Sequence, residues 1–335
     1  MTALLYVVLA IVVAVAIWQI ASIFNLKGVI ATQKDNNTQG ILFALFGIFF
    51  YGLMIFSFVK YSPLLLPDSA SLEGEKYDTL YLITMLLILV VQAITQFLLF
   101  YFAFKYRGVK GRKALFYADS HKLETIWTVV PAIVLAGLVL YGLTVWNDVM
   151  DSSDAENPLI IEVYAKQFQW EARYAGNDNE LGLANVRNIE GINTMGVDMT
   201  DKNALDDVPT RELRLPKGRK VIFKFRSQDV LHSAYMPHFR AQMNCVPGMV
   251  TEFAFTPSMT TEEMRLNEKT IKKVEGINKI RAEKGEDPYE FDYLLLCNKI
   301  CGASHYNMQM KIIVEEEAQF NSWLASQKTM AQVVQ

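Results

Sequence analysis

FDYLLLCNKICGASHYNMQMKIIV, residues 291–314, sets two short runs of apolar and aromatic residues on either side of a loop full of soft donor atoms. The runs Phe291 to Cys297 and Met308 to Val314 read as strands, because branched and aromatic side chains suit a pleated, half-buried surface. Within the loop, Cys297 and Cys301 stand four apart, and His305 and Met308 follow. Two thiolates, an imidazole and a thioether select a soft or borderline metal, and the thioether favours copper. A loop held at both ends by strands can wrap several ligands around one point and keep them there.

Other short strand-like segments surround this one. Ile160 to Ala165, Gln167 to Tyr174 and Met249 to Phe255 read as strands. Glu212 to Leu215 and Lys220 to Phe225 flank Pro216, Lys217 and Gly218, which reads as a hairpin with a short turn. Several such strands with turn signals between them predict an all-β sandwich. Residues 176–209 are polar and rich in Asn, Asp and Gly, and read as a long surface excursion. Thr260 to Lys284, rich in Glu, Lys and Arg, predicts one or two amphipathic helices, either a solvated insertion or a docking surface for a partner subunit. Glu316 to Gln327 predicts a last helix with Phe320, Trp323 and Leu324 on its apolar face.

Upstream of residue 150 the composition changes. Four uncharged runs, approximately Ala3 to Phe24, Ile41 to Val59, Thr79 to Phe104 and Thr125 to Trp146, match the roughly 20 apolar residues a spanning helix needs. No positive residue precedes the first run, so it reads as a retained helix rather than a secretory signal. Lys105, Arg107, Lys110, Arg112, Lys113 and Lys122 between the last two runs predict a cytoplasmic loop. Asp68, Glu73, Glu75 and Asp78 between the second and third face outward on this reading, and both termini lie outside with them. Three parts result: two extra N-terminal spans in 1–78, a helical hairpin in 79–150 and an exported β-domain in 151–335, with insertions near 176–209 and 260–284. The exported part holds 27 acidic against 22 basic residues, which excludes a strongly basic nucleic-acid surface.

A pair of metals needs a second imidazole, and His232 in DVLHSAYMP lies just after a predicted strand. Two bridging thiolates then leave each copper one imidazole and one weak ligand, the Met308 sulfur and a backbone carbonyl such as that of Lys299. Such a pair spreads one electron over two metals, so bond lengths change little and electron transfer is cheap in reorganisation. A disulfide between Cys297 and Cys301 is the competing reading, tight across three intervening residues. A zinc site from Cys297, Cys301, His305 and His232 is another, and leaves Met308 idle. Cys245 reads as a small packed side chain, and His121 and His238 as surface or supporting residues. No CxxCH string is present, so no covalently attached haem is expected.

CNKICGASHYNM resembles the CxExCGxxHxxM copper loop of subunit II of the haem-copper cytochrome c oxidases, and DVLHS resembles that family's other ligand segment. HKLETIWTVVPA, from His121 to Ala132, is similar to the start of its second membrane helix, and AKQFQWEARY, from Ala165 to Tyr174, to its aromatic segment beside the copper. The resemblance implies a cupredoxin-like Greek-key sandwich and a binuclear copper A centre. Its ligands would be His232, Cys297, Cys301, His305, Met308 and the carbonyl of Lys299. It further implies an electron-entry subunit that takes electrons from cytochrome c, or a cytochrome c domain, and passes them to haem in subunit I. There oxygen is reduced to water and protons are pumped, in a bacterial plasma membrane with the copper domain on the periplasmic side. Glu124 matches a carboxylate at a proton-uptake path, or is an ordinary helix-start carboxylate.

Three departures stand out. Lys299 replaces a Glu that helps hold magnesium at the subunit boundary, so that ion is expected to be absent or bound differently. Phe168 replaces the first Trp of the aromatic pair, and Trp170 keeps the second place, which puts their electron-entry role in question. The two extra N-terminal runs fall outside the family's common pattern, and are expected to dock a further subunit or a neighbouring respiratory complex. The competing function is a metal-free subunit II of quinol-oxidase type that serves as a scaffold. A third is a membrane-held copper-delivery module, for which exchangeable ligands would be expected.

Overall fold

A computed structural model describes residues 2–25, 32–150 and 155–334, with side chains described for 6–21 within the first stretch. Four helices come first: α1 (Thr2–Asn25), α2 (Gln33–Tyr61), α3 (Leu72–Lys105) and α4 (His121–Met150). Among the described residues three helical segments, Gln33–Leu64, Leu72–Lys105 and His121–Met150, are long and apolar enough to cross a membrane. The apolar stretch described in α1, Tyr6–Ala21, is shorter than these, so the expected fourth span is not established. Side chains such as Ile48, Phe97 and Ile133 are more than half exposed, and so much bare apolar surface suits lipid rather than water.

The chain divides into two compact units. One comprises Met1–Lys60 and Leu89–Ser120. Here α2 meets the second half of α3 through small residues: a Cβ at Gly47 would lie 2.7 Å from the Phe100 ring. The Tyr51 hydroxyl donates to the Ala93 carbonyl at 2.7 Å, and Arg107 donates to Asn37 Oδ1 at 2.9 Å.

The other unit comprises Tyr61–Ile88 and His121–Gln335. Its strands are β1 (Leu159–Lys166), β2 (Gln169–Tyr174), β3 (Val208–Thr210), β4 (Leu213–Pro216), β5 (Val221–Ser227), β6 (His232–Met236), β7 (Ala241–Cys245) and β8 (Thr251–Phe255). After α5 (Thr261–Arg265) and α6 (Glu268–Lys284) come β9 (Tyr293–Cys297), β10 (Gln309–Glu315), α7 (Glu317–Ser326) and α8 (Met330–Val334). Two five-stranded sheets form, in the orders β3-β2-β1-β5-β8 and β4-β10-β9-β6-β7. Alternate residues point between them: Ile161, Val163, Phe223, Phe225 and Phe255 from the first meet Leu213, Leu215, Tyr293, Leu295 and Ile312 from the second, all buried. The expected sandwich is therefore present.

The expected hairpin at Pro216 to Gly218 is not. β4 pairs in parallel with β10, while β5 pairs in parallel with β1, so the turn carries the chain from one sheet to the other. A Pro-Lys-Gly turn reverses the chain locally in either case, and only the register of distant strands decides which partner it finds. β3, β6 and β7 escaped the sequence reading, as did α8; His232 follows β5, as expected, and itself opens β6.

Residues 176–209 are not a free excursion. Arg173, 1% exposed on the outer face of β2, donates to Glu162 Oε2 at 2.6 Å, to the Gly182 carbonyl at 2.6 Å and to Asp207. Arg226 holds Glu162 from the other side at 2.8 Å and donates to the Met195 carbonyl at 2.9 Å. Tyr164, Met195, Val197, Ala204 and Met330 close a second small core over this network. The segment thus buries a charged sheet face and supplies Asp207 and the Gly182 and Met195 carbonyls as partners for its arginines.

The start of α3 is bonded into the sandwich. Ser71 Oγ donates to the Phe239 carbonyl at 2.8 Å, and Glu73 accepts from the Thr256 N–H at 2.7 Å. Arg240 clasps Asp78 at 2.7 and 2.8 Å.

Candidate metal centre

Three strands of one sheet aim their ends at a single point. β6 begins with His232, β9 ends with Cys297, and β10 begins just after Met308. Ala234 lies opposite Cys297 in the β6–β9 register, which brings His232 within reach of that sulfur. The loop is closed by the Cys297 N–H, which donates to the Met308 carbonyl at 3.1 Å.

The donor atoms converge. Cys297 Sγ and Cys301 Sγ are 3.8 Å apart, far beyond the roughly 2.05 Å of a disulfide. All three cysteines are free, which removes the disulfide reading from this structure. His232 Nδ1 lies 3.8 Å from Cys297 Sγ, and His305 Nδ1 lies 3.6 Å from Cys301 Sγ. Met308 Sδ is 3.8 Å from Cys301 Sγ, and the Lys299 carbonyl is 3.2 Å from Cys297 Sγ. His232, Cys297 and Cys301 offer ligand atoms all within 4.8 Å of one another, a group able to hold a metal ion. Every residue named from the copper-loop string and DVLHS is thus gathered at one place.

His232, Cys301 and Met308 are buried, whereas Ile300 and Tyr306 on the same loop are 86% and 88% exposed. Burial, followed by the neighbouring Cys297, pushes the Cys301 thiol up to about 11. Burial likewise pushes Cys245 up to about 12, consistent with its reading as a packed side chain.

A supporting residue went unread in the sequence. Asp229 accepts from His232 Nε2 at 2.8 Å, which leaves Nδ1 turned to the sulfurs. Burial works against the Asp229 charge, yet the Gln167 N–H, the His232 ring and the Val230 N–H hold its carboxyl below the usual range. A carboxylate behind a ligating imidazole fixes its tautomer and ring orientation. The signal in the sequence was the acid three residues before His232 in DVLH.

Trp170 is 3% exposed, stands edge-on to the His232 ring at 6.1 Å between centroids, and donates from Nε1 to the Met308 carbonyl at 3.4 Å. Phe168 lies outside it, against Gly302 of the loop. The Lys299 side chain is exposed. Glu124 is elsewhere: it sits in the first turn of α4, 3.6 Å from His121, at the far end of a 30-residue helix about 45 Å long. His238 packs edge-on against Phe291 and Tyr293, away from the sulfurs. The acidic run Glu315 to Glu317 is paired with Arg214, Lys217 and Arg219 at the end of β10 opposite the metal loop.

The family model described as the transmembrane domain of cytochrome c oxidase subunit II matches residues 59–145, which contain α3 and most of α4. The alternative cytochrome c oxidase subunit 2 of Bradyrhizobium diazoefficiens is 36% identical over 234 residues, 69% of this chain and 73% of its own length. A probable quinol oxidase subunit 2 of Staphylococcus epidermidis is 23% identical over 185 residues, 55% of this chain and 41% of its own. The periplasmic domain of subunit II of cytochrome oxidase from Bradyrhizobium japonicum aligns with 52% of this chain and 94% of its own, at 19% identity and a TM-score of 0.31. With membrane helices ahead of a β-sandwich and 36% identity over 73% of one subunit 2, the chain belongs to the cytochrome c oxidase subunit II family as an oxidase subunit.

Proposed function

We propose that this chain binds a binuclear copper centre and is the electron-entry subunit of a terminal respiratory oxidase. The observation that carries the reading is the convergence of two sulfurs, two imidazoles and a thioether on one rigid loop and one strand end. Cys297, Cys301, His232 and His305 would hold the metals, with Met308 and the Lys299 carbonyl as weaker ligands. Such a copper pair takes up and releases one electron with little structural change. The protein's part is to hold the donors still. Asp229 orients His232, and Trp170 fixes the Met308 carbonyl and fills the space behind the imidazole. Ile300 and Tyr306 present an apolar surface beside the buried ligands where an electron donor or acceptor can approach without displacing them.

On this reading cytochrome c, or a cytochrome c domain, is the donor and haem in subunit I the acceptor, with oxygen reduction and proton pumping in that partner. The sandwich is of cupredoxin Greek-key type and faces the periplasm from a bacterial plasma membrane. α1 makes a fourth span. Parts 1–78, 79–150 and 151–335 are then the extra helices, the hairpin and the copper domain, although the boundary at 151 falls outside the described residues. The extra helices dock a further subunit or a neighbouring respiratory complex. Lys299, a cation at the family's magnesium-binding position, argues that this ion is absent or bound differently. Glu124, exposed on the basic-loop side of α4, suits a proton-uptake carboxylate on the cytoplasmic face.

The similarity to a quinol oxidase subunit 2 favours a second reading, a metal-free scaffold. A scaffold has no need of matched soft donors, and here none of the five side-chain ligands is missing. Copper analysis of the purified full chain, combined with stopped-flow mixing against reduced cytochrome c, separates the two. The electron-entry role expects bound copper and rapid oxidation of the cytochrome; a chain with no copper and no reaction is the scaffold.

A further inference from the structure

The proposed metal ligands all belong to the sheet β4-β10-β9-β6-β7 and its loop, yet besides Trp170 a second residue of the opposite sheet's β1–β2 segment reaches two of the segments that carry them. Gln167 lies in the turn between β1 and β2. Its side-chain Nε2 donates to the carbonyl of Cys301. Its backbone N–H donates at 2.8 Å to Asp229 Oδ2, and the other oxygen of that carboxylate holds His232 Nε2 at 2.8 Å. The turn is pressed against the loop so closely that a Cβ on Gly302 would stand 2.8 Å from both Gln167 Nε2 and the Phe168 ring. Gly302 also has φ +141°, a backbone angle that disfavours side chains.

We propose that Gln167 is a positioning residue for the metal centre, fixing Cys301 and, through Asp229, His232 in one frame. This rests on the copper reading of the site. Cys301 belongs to a loop whose neighbours Gly302 and Ala303 are exposed, and His232 belongs to a strand. The β6–β9 register and the Asn298 N–H, which donates to the Ser233 carbonyl, set Cys297 against β6, but Cys301 lies further along the loop and has no such backbone bond to β6 among the described residues. Gln167 bonds to both sides at once, and because it stands on the rigid β1–β2 turn it ties them to the sandwich as a whole. Its side chain arm can be removed without touching a ligand or the backbone arm to Asp229.

The test compares the full chain in detergent with Gln167→Met, which keeps volume and loses the donor, with Gln167→Ala, and with Gln169→Ala, an exposed neighbour in the same strand-turn segment. Copper affinity is read by competition with a chelator, the electronic structure by paramagnetic resonance, and the metal-free loop by amide hydrogen exchange at Cys301 and Gly302. Gln167→Met and Gln167→Ala are expected to weaken copper binding about 10- to 100-fold, as loss of such supporting bonds generally does. They should also alter the hyperfine pattern and speed exchange in the loop while β4 and β7 stay protected, with Gln169→Ala unchanged. Wild-type affinity, signal and loop exchange in Gln167→Met overturn the proposal, as does a loss confined to Gln167→Ala, which would indicate packing alone. If the wild type itself takes up no copper, the copper reading fails separately. Exchange in the metal-free chain then judges Gln167: faster loop exchange in Gln167→Met upholds the positioning role, and equal exchange overturns it.

Discussion

His238 shows how one buried residue sets a pH limit on the fold. Enclosed by Phe291 and Tyr293, its imidazole is pushed down to about 4 by burial first, with Lys273 and Arg240 adding to the effect and Asp68 opposing it. The unfolded chain takes up this proton near 6.5 and the folded chain resists it, so the stability present above pH 6.5 is lost as pH falls toward 4. The loss is on the order of 3 kcal/mol. His238→Phe should flatten this part of the curve, measured by denaturant unfolding at pH 7 and pH 4.5. At the metal loop, Cys301→Ser should abolish the shared-electron signal and lower copper content, read by metal analysis and resonance on the same sample. The converging side chains were legible because each is a donor-bearing residue in one short string plus DVLHS. Gln167 and Asp229 were not, since their role is to bond across from a turn and a strand entry that meet only after both sheets have formed.

Elements were legible where period and turn signals acted alone. β1, β2, β8, β9 and β10 lie within a residue or two of their expected positions, and α5 with α6 fills the charged stretch predicted to be helical. β6 and β7 were hidden because HSAYM and AQMNC mix polar and apolar residues on strands that take their stability from the β6–β7 ladder and the core. The order within the polar 176–209 segment was not legible, because it comes from Arg173, which bonds both to Glu162 on the paired strand and to Asp207 at the segment's far end. Arg173→Leu removes the ion-pair partner of Asp207, whose side chain is 0% exposed, and leaves Glu162 with Arg226 alone, and should cost about 3–5 kcal/mol in chemical denaturation. Arg240→Ala removes the clasp on Asp78 and should raise amide exchange at Ala70 to Leu72 by tenfold or more, since hydrogen bonds to charged groups contribute about 1.5–3 kcal/mol.

For the whole molecule, the proposed electron-entry role predicts docking at the exposed metal loop rather than at the acidic run. Glu315 to Glu317, the obvious acidic run, lies at the wrong end of β10 and is already paired. Replacing all three by Gln should leave the rate of electron uptake from cytochrome c and its salt dependence unchanged, because the apolar approach to the ligands lies around Ile300 and Tyr306. The most direct test of the copper centre is the paramagnetic resonance spectrum of the oxidised, copper-loaded full chain. One unpaired electron shared equally by two nuclei across the Cys297 and Cys301 sulfurs gives a multi-line hyperfine pattern, and that is the result expected. The four-line pattern of an electron confined to one copper, or no copper signal at all, would contradict it.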